Sequence, residues 1–249
     1  MTASSEITAA VQRYIGRHHL DGLHLKAALI DMDGVLYDSM KYHTLAWHRM
    51  MTELGVECTR DEFYLYEGMT GRATIDLLMR RAFGRDATPE ESDVLYKKKT
   101  EYFSAFGERE TMPGADRMLA ALHDGGLRRV LVTGSGQKSL ISTIETDYPG
   151  MFAADMRVTA ADVVHGKPDP EPYLRGLEKA GVNAWEAMVI ENAPLGVAAG
   201  HAAGCFTVAV TTGPISADRM TEAGADIVFP SMPEFADALP EFLSLCAKA

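Results

Sequence analysis

The 249-residue chain has a formal net charge of −11 at pH 7, and 47% of its residues are hydrophobic. Because such acidity repels phosphate backbones, we expect no nucleic-acid partner. No run approaches the roughly 20 apolar residues that a membrane helix needs, so we expect no membrane partner. The three cysteines form no C-x-x-C pair and residues 1–10 show no signal-peptide pattern, which predicts a cytoplasmic protein. We expect a monomer.

Short aliphatic runs, most of them bounded by Gly, Asp or Pro, predict buried parallel strands. Helix-like segments lie between the later runs, and this alternation is typical of a doubly wound sheet. The predicted fold class is therefore α/β, with a Rossmann-like core. The predicted strands are Ala27–Ile30, Val130–Thr133, Met156–Thr159, Met188–Ile190, Phe206–Val210 and Ile227–Phe229, and the predicted core helices are Asp116–His123, Ser139–Thr146, Pro172–Ala180, Gly196–Ala203 and Ala217–Ala223.

The block between the first two strong strands is too long for a single βα crossover and has helical patterning instead. We interpret it as an inserted helical cap at residues 40–109, with a core domain formed by residues 1–39 and 110–249. Within that core, residues 1–24 form an N-terminal helical extension, with an amphipathic helix over Thr2–His19. The predicted cap helices are Tyr42–Leu54, Thr74–Phe83 and Glu90–Phe106, and the predicted hinges are Leu36–Met40 and Glu108–Met112.

Residues 28–34 read ALIDMDG, a buried strand that ends in two carboxylates and a glycine. In open α/β sheets the site lies beyond the carboxyl ends of the strands, so Asp31 and Asp33 are delivered there. Residues at i and i+2 of a strand share a face. One carboxylate can attack phosphorus and the other can transfer protons to and from the reacting oxygens. An Asp-rich turn without catalytic function explains this short motif equally well.

Three further motifs follow predicted strands or loops of the core. A hydroxyl beside glycine-rich backbone, at Thr133, Gly134 and Ser135, suits phosphoryl oxygens, although a plain polar turn is the commoner structure. Lys167 stands in the proline-rich loop GKPDP, where a fixed ammonium would neutralise a nucleophile and a phosphoryl group. The strand-end sequence IENAPLG at residues 190–196 offers a carboxylate and a carboxamide, hard oxygen ligands for Mg²⁺ or an N-cap for the next helix.

These four motifs, in this order, resemble those of the haloacid dehalogenase-like superfamily, and the chain is similar to its β-phosphoglucomutase-like branch over Lys26 to Phe235. The resemblance implies Asp31 as nucleophile and Asp33 as general acid and base. It implies Thr133 and Lys167 as ligands of the phosphoryl group. It also implies a Mg²⁺ cofactor. The implied metal ligands are Asp31, the backbone carbonyl of Asp33, and the turn at Glu191 and Asn192.

Two positions depart from the pattern of that branch. Asn192 stands where a second carboxylate is usual, so the metal loses one negative charge. The mutases of the branch have a Lys-Gly-x-x-Arg segment that holds a distal phosphate, whereas residues 67–71 here read EGMTG. The lysine is thus replaced by Glu67 and the arginine by Gly71, which argues against mutase activity. We predict that Glu67 reaches the metal from the cap and replaces the missing carboxylate.

Two cap residues are candidates for contact with the leaving group. Lys99 falls inside an apolar stripe of the third cap helix, where it either snorkels to solvent or contacts the substrate. His43, in the first cap helix, is either a packing residue or a similar contact. The cap segment around Glu67 and the Glu191-Asn192 motif resemble those of an inorganic pyrophosphatase of the branch.

We therefore expect a Mg²⁺-dependent phosphohydrolase whose partner is a small phosphorylated substrate, either inorganic pyrophosphate or a phosphomonoester. The alternatives are a β-phosphoglucomutase, a sugar-phosphate phosphatase, or a non-catalytic protein that binds a phosphorylated metabolite. Steady phosphate release that depends on Mg²⁺ would separate an enzyme from a binding protein.

Overall fold

A computed structural model describes residues 3–106, 110–136 and 138–246, without the side chains of residues 138–142. Six parallel strands form one sheet in the order β3-β2-β1-β4-β5-β6. The strands are β1 (Ala27–Ile30), β2 (Arg128–Val132), β3 (Arg157–Val158), β4 (Ala187–Glu191), β5 (Phe206–Val210) and β6 (Ile227–Phe229). The predicted doubly wound α/β fold is confirmed, and its strand order reverses direction between β1 and β4.

Helices cover both faces of the sheet. A separate group of helices lies in the stretch of chain that connects β1 to β2. The helices are α1 (Ala3–His18), α2 (Met40–Glu53), α3 (Glu62–Leu65), α4 (Gly71–Phe83), α5 (Pro89–Ala105), α6 (Ala115–Asp124), α7 (Lys138–Asp147), α8 (Glu171–Ala180), α9 (Pro194–Ala202), α10 (Ala217–Glu222) and α11 (Met232–Cys246), with a 3-10 turn at Ala184–Glu186. Within the described ranges, none of these helices combines the length and apolar character that crossing a bilayer requires.

Successive residues of β1 enter different hydrophobic cores, because side chains alternate across a strand. Ala28 and Ile30 join the larger cluster, which is built from α1, α6 and α11. Ala27 and Leu29 join a second cluster against α8 and α9. The side chains of β1 are fully buried, so this strand is a rigid support for the residues that follow it.

Helices α2 to α5 have a hydrophobic cluster of their own, in which Met51, Phe63 and Leu78 are buried. The two chain segments that lead to and from these helices pair with each other. Asp38 N donates to the carbonyl of Glu110 at 3.0 Å, and Met112 N donates to the carbonyl of Leu36 at 2.8 Å. The domain limits at 39/40 and 109/110 stay a prediction, and Glu108, in one predicted hinge, lies outside the described residues.

The observed elements differ from the predicted ones mainly at their ends, where assignments vary by one or two residues. β2 ends at Val132 rather than Thr133, and β4 continues through Glu191. No element was predicted for residues 232–246, yet they form α11, which packs against α1 and α6. Pro240 lies inside that helix, and an internal proline is the pattern that ordinarily indicates a helix end.

Candidate active site

The carboxyl ends of β1, β2 and β4 bring the predicted nucleophile and its cation together. Asp31 follows β1 directly, and its side chain is buried. Lys167 Nζ donates to Asp31 Oδ1 at 2.5 Å, to Glu191 Oε1 at 2.6 Å and to the carbonyl of Val132 at 3.1 Å. Burial raises the pKa of Asp31 to about 8, although the Lys167 ammonium opposes that shift. The two carboxylates in turn hold the pKa of Lys167 above its ordinary value, against the effect of burial.

In this arrangement the carboxylate of Glu191 binds the ammonium of Lys167 and is not left open to bind a metal ion. Its Oε1 also accepts from the hydroxyl of Tyr173 at 2.7 Å, and its Oε2 accepts from the backbone of Asn192 at 3.0 Å. A Cβ at Gly196 would lie 1.8 Å from Glu191 Oε1, so only glycine leaves room for this carboxylate. The side chain predicted to bind metal is thus committed to protein donors, and it fixes the ammonium beside Asp31.

Asn192 and Glu67 form a second polar pair beside Asp31. Asn192 Nδ2 donates to Glu67 Oε1 at 2.9 Å, which joins the core to the segment between α3 and α4. Burial, reinforced by the charge of Asp31, raises the pKa of Glu67 well above its usual range. A Cβ at Gly34 would lie 1.9 Å from Asn192 Nδ2, so this glycine admits the carboxamide.

The donor set around Asn192 fits a hard divalent cation. Asn192 Oδ1 is buried and accepts no hydrogen bond from any residue that the structure describes. A buried carbonyl oxygen without a partner is costly, and a cation would satisfy it. The carboxylates of Asp31 and Glu67 lie nearby, and burial raises the pKa of both. Over the described ranges, no three His, Cys, Asp or Glu side chains are arranged as a metal site by themselves, so the amide oxygen would have to take part.

Asp33 receives its hydrogen bonds from residues at the start of α2. Ser39 Oγ donates to Asp33 Oδ1 at 2.5 Å, and His43 Nε2 lies 3.1 Å from the same oxygen. Burial would raise the pKa of Asp33, but the charge of His43 and the hydrogen bonds from His43 and Ser39 bring it to about 2. Asp33 is therefore a carboxylate in this arrangement.

Lys99 is buried, and its head group does not snorkel to solvent. Its Nζ lies 2.6 Å from His43 Nδ1, which continues the chain of contacts to Asp33. The rings of Trp47, Tyr96 and Phe103 surround the ammonium, with centroids 5.3, 5.9 and 5.2 Å from Nζ. Burial lowers the pKa of Lys99 to about 7, although Asp33 attracts the charged form. The structure thus places the amino group of Lys99, on α5, in the wall of the site.

Replacement of Lys99 by methionine tests this burial. The pKa of Lys99 is about 7 in the folded chain against an ordinary 10.5, so the unfolded chain binds more protons between these values. Wild-type stability should therefore gain a contribution as pH rises through that window. We expect Lys99→Met to be more stable than wild type at pH 7, by on the order of 1–3 kcal/mol, with the difference shrinking toward pH 10.

Urea unfolding in EDTA at pH 7, 8.5 and 10 measures the difference between Lys99→Met and wild type. Lys98→Met is the control, because Lys98 lies on the same helix as Lys99 but is partly exposed and paired with Glu53 of α2. A difference between Lys99→Met and wild type that stays constant with pH would contradict a depressed pKa for Lys99.

The loop after β2 faces the residues between α3 and α4. Ser135 N donates to Thr133 Oγ1 at 3.0 Å, and Thr133 is buried. A Cβ at Gly134 would lie 2.6 Å from the carbonyl oxygen of Gly68. Only glycine permits this approach, so helices α2 to α5 are closed onto the loop in this structure.

A cavity of about 60 Å³ lies between these groups. The predicted residues Lys167 and Asn192 lie beside it and are hydrogen-bonded to its wall residues Asp31 and Glu67. Glu191 lies behind them and accepts hydrogen bonds from both. The wall of the cavity contains the other predicted residues, Asp31, Asp33, His43, Glu67, Lys99, Thr133, Gly134 and Ser135, together with Met40, Trp47, Phe63, Met69 and Tyr96. The structure therefore brings the predicted site residues into one place, and their chemical roles stay predictions.

Three contributors were missed by sequence reasoning. Tyr173 supports Glu191, Ser39 supports Asp33, and Tyr96 contacts the loop after β2. Helical spacing could have indicated Tyr96, because it precedes Lys99 by three residues and so lies on the same face of the helix. Ser39 and Tyr173 carry no comparable pattern, because an isolated hydroxyl outside a motif is indistinguishable from a solvated one.

Family comparison agrees with this geometry. Residues 25–204 match the model of the haloacid dehalogenase-like hydrolases. The chain is a haloacid dehalogenase-like hydrolase. The match includes Asp31, Thr133, Lys167 and Asn192, so all four motif regions fall within it.

Named relatives of this hydrolase act on phosphorylated small molecules. Hexitol phosphatase A of Escherichia coli (strain K12) is 28% identical over 84% of this chain and 93% of its own length. The 2-deoxyglucose-6-phosphate phosphatase 1 of Saccharomyces cerevisiae is 30% identical over 80% of this chain and 85% of its own. A solved Bacteroides vulgatus structure, named as a candidate beta-phosphoglucomutase, is 44% identical, with a TM-score of 0.94 over 99% of this chain and 100% of that one.

These comparisons confirm the predicted family, its β-phosphoglucomutase-like relatives and an enzyme of the phosphatase class. The predicted resemblance to an inorganic pyrophosphatase is not tested by them and stays a prediction. The names of the relatives favour the alternative that was also predicted, a sugar-phosphate phosphatase or mutase.

Proposed function

We propose that this hydrolase is a Mg²⁺-dependent phosphohydrolase of compact phosphorylated substrates, with inorganic pyrophosphate as the first candidate. The observation that carries the proposal is the cavity of about 60 Å³ beside Asp31. Large side chains, including Trp47, Phe63 and Lys99, line the space beyond Asp31, which favours a compact leaving group over a hexose. A second phosphate is among the smallest leaving groups that such a cavity could take.

The first chemical step is attack by a carboxylate oxygen of Asp31 on phosphorus, which forms an aspartyl-phosphate and breaks the bond to the leaving oxygen. Thr133, the adjoining loop backbone and Lys167 stabilise the negative charge of the transferring group. In the second step water attacks phosphorus, its proton passes to Asp33, and phosphate leaves with Asp31 restored. Lys167 remains charged throughout because Glu191 holds its ammonium in place.

Asp31, the backbone carbonyl of Asp33, Asn192 Oδ1 and Glu67 are the oxygens that we propose for Mg²⁺. When bound, the cation neutralises the phosphoryl oxygens and screens them from the carboxylates of the site. Glu191 is assigned to Lys167 instead, since its oxygens already accept from that ammonium, from a hydroxyl and from backbone amides. Residues 40–109 are proposed as a cap whose closure completes this set with Glu67.

The wall around the leaving group favours a small anion. Lys99 and His43 are the basic groups there, while Trp47, Phe63 and Met69 present mainly apolar surface. A pKa of about 2 also leaves Asp33 almost entirely deprotonated in the closed arrangement, so it seldom carries a proton to give to a leaving group. A departing phosphate needs less protonation than an alkoxide, so pyrophosphate suits this Asp33 better than an alkyl phosphate does.

A sugar-phosphate or polyol-phosphate substrate is the second candidate. It is supported by the names of the relatives, since both phosphatases carry such substrates in their names. For this candidate the site would have to open wider than in the present arrangement. The mutase alternative receives support from the name of the Bacteroides vulgatus structure. Against it, Gly71 offers no side chain to hold a distal phosphate.

A phosphate-release screen tests the proposal. Purified protein is incubated with pyrophosphate, glycerol 1-phosphate, glucose 6-phosphate and β-glucose 1-phosphate, each in Mg²⁺ and in EDTA. We expect Mg²⁺-dependent release that is fastest from pyrophosphate, with no isomerisation of β-glucose 1-phosphate. Faster release from a sugar phosphate would reverse the ranking of the two candidates, and equal release in EDTA would contradict the role of Mg²⁺.

Replacement of Glu67 by glutamine tests the proposed metal ligand. The change preserves shape but removes a charge, so we expect Mg²⁺ affinity to fall by about tenfold or more. Mg²⁺ titration by calorimetry measures this without turnover, and phosphate release is measured alongside. Glu90→Gln is the control, because Glu90 is an exposed acid in the first turn of α5.

Turnover of pyrophosphate should fall more in Glu67→Gln than turnover of a phosphomonoester, if the closed metal site suits the smaller substrate. Unchanged Mg²⁺ affinity in this variant would remove Glu67 from the ligand set.

A further inference from the structure

A second cavity, of about 50 Å³, shares Glu67 and Met40 with the first cavity, which lies beside Asp31. These two side chains therefore separate the two spaces. Asn192 lies in the wall of the second cavity and not in that of the first. It carries the buried Oδ1 that accepts no hydrogen bond from the described residues. We call this second space the side cavity, and the residues that define it here are Asp38, Tyr64, Glu67, Asn192, Thr212 and Gly213.

The side cavity connects the protein surface with two of the proposed metal ligands. Gly213 is exposed, and Asp38 and Tyr64 are half-buried. Glu67 and Asn192, at the inner end, are only 9% and 4% exposed. The volume of the side cavity exceeds the roughly 10–15 Å³ that one water molecule needs, and its wall offers polar partners for water. Water can therefore lie between the surface and the inner ligands.

The charge of the side cavity suits a cation and disfavours an anion. The ammonium of Lys41, in its wall, donates to Asp38 Oδ2 at 2.7 Å and to Glu110 Oε2 at 3.0 Å, so carboxylates outnumber it. The basic groups of Lys99 and His43 lie in the wall of the first cavity and not in this one. An entrance with an excess of negative charge attracts cations and repels phosphate.

A contact between the helical segment α2–α5 and the core covers the side cavity. A Cβ at Gly213 would lie 3.7 and 3.8 Å from Cδ1 and Cε1 of Tyr64, which is an ordinary packing distance. Tyr64 belongs to α3, whereas Gly213 belongs to the loop after β5. That loop is held in place by Thr212 Oγ1, which donates to the carbonyl of Gly34 at 2.6 Å. The cover is thus one aromatic ring that faces a glycine on a fixed loop.

We propose that the side cavity is the route by which a hydrated divalent cation reaches and leaves Asn192 and Glu67 while the cap stays closed. The inference rests on the proposed function, since it concerns the cation of that same site. Without a second route, a cation that Glu67 helps to bind could exchange only when the cap opens. Mg²⁺ gives up water reluctantly, and a polar route that admits water lets it keep part of its hydration shell. Cation and phosphorylated substrate would then use different entrances.

The test measures the rates of Mn²⁺ binding and release, with saturating orthophosphate present to keep the cap closed. Trp47 lies in the wall of the first cavity, so bound Mn²⁺ should quench its fluorescence, whereas Trp185 precedes β4 at the opposite edge of the sheet. Stopped-flow mixing with Mn²⁺ gives the association rate constant, and mixing of the loaded protein with excess EDTA gives the dissociation rate constant. Calorimetry gives the Kd under the same conditions.

Two variants change the route in opposite directions. Tyr64→Ala removes the cover, and we expect both rate constants to rise by about tenfold. Gly213→Leu places a side chain beside Tyr64 at an exposed position, and we expect both rate constants to fall by about tenfold. The Kd should stay at the wild-type value in both variants, because a route changes the barrier and not the end states. Without orthophosphate the differences should shrink, since the cap can then open.

Two control variants leave the side cavity intact. Leu65→Ala lies on the same helix as Tyr64 but outside the walls of both cavities, and Ala217→Leu is an exposed change at the start of α10. Both should exchange Mn²⁺ at the wild-type rates. Faster exchange in Leu65→Ala, equal to that in Tyr64→Ala, would show that a loosened cap explains the effect and would overturn the inference.

Two further outcomes overturn the inference and leave the proposed function standing. One is a pair of rate constants that stays at the wild-type values in both Tyr64→Ala and Gly213→Leu. The other is a changed Kd that arises from one rate constant alone, which would mean that these residues act on the bound cation and not on its route. If wild-type protein binds no Mn²⁺ by calorimetry, the proposed metal set fails and the inference falls with it.

Discussion

Replacement of Asp31 by asparagine is expected to lower phosphate release by at least about 10⁴-fold, to the limit of detection. The amide of asparagine is not a nucleophile, and the carboxylate of Asp33 is held by Ser39 and His43 rather than aimed at the phosphoryl position. Phosphate release from pyrophosphate in Mg²⁺ measures the loss. Asp93→Asn, an exposed change on α5, is the control and should keep wild-type activity.

The Asp31→Asn variant should also be at least as stable as wild type. Burial raises the pKa of Asp31, and Glu191 and Asp33 also disfavour its charge, so a neutral isostere should fold at least as stably. We expect the melting temperature of Asp31→Asn in EDTA to equal or exceed that of wild type. Substantial phosphate release by a folded Asp31→Asn protein would refute the assignment of the nucleophile.

Replacement of Lys167 by methionine is expected to impair both catalysis and stability. Its ammonium contacts Asp31 and Glu191 in the buried interior, and loss of one partner from such a cluster typically costs about 3–5 kcal/mol. Phosphate release should fall by about 10²–10³-fold, because one donor to the transferring group is lost. Lys179→Met, an exposed change on α8, is the control.

The stability deficit of Lys167→Met should depend on pH. Without the ammonium, nothing opposes the effect of burial on the Asp31 carboxylate, so its folded pKa lies above its unfolded one and the unfolded chain binds fewer protons. Stability contributed by Asp31 is then present at low pH and is lost as pH rises through the folded value. Urea unfolding in EDTA at pH 5 and pH 8 should show the larger deficit at pH 8, and a deficit that does not change with pH would contradict this account.

Glu191 illustrates how a residue can be found from sequence while its contacts cannot. Its position at the end of β4 was readable, because a hydrophobic run followed by a carboxylate marks the edge where an α/β sheet has its site. Its hydrogen-bond partners could not be identified from sequence, since Lys167 and Tyr173 come from a separate loop and helix. The carboxylate predicted to bind metal therefore turned out to be occupied by an ammonium, a hydroxyl and two backbone amides.

Lys99 illustrates the same limit for the cap. Helical spacing placed it within an apolar stripe, and two interpretations of that placement stayed open. The structure decides that it is buried, because only the tertiary arrangement brings His43, 56 residues away along the chain, to 2.6 Å from its Nζ. Helix periodicity reports which face a residue occupies but not what lies opposite that face.

The sequence by itself determined the parallel α/β fold and the edge of the sheet where Asp31 and Asp33 lie, because strand ends and their flanking residues are contiguous in the chain. The grouping of Thr133 and Lys167 with these aspartates came from the resemblance of the four motifs to the haloacid dehalogenase-like superfamily. The tertiary structure alone decided the volume of the cavity, the presence of the side cavity behind Glu67 and the unpartnered oxygen of Asn192. Those features depend on distances between segments far apart in sequence, which no local pattern encodes.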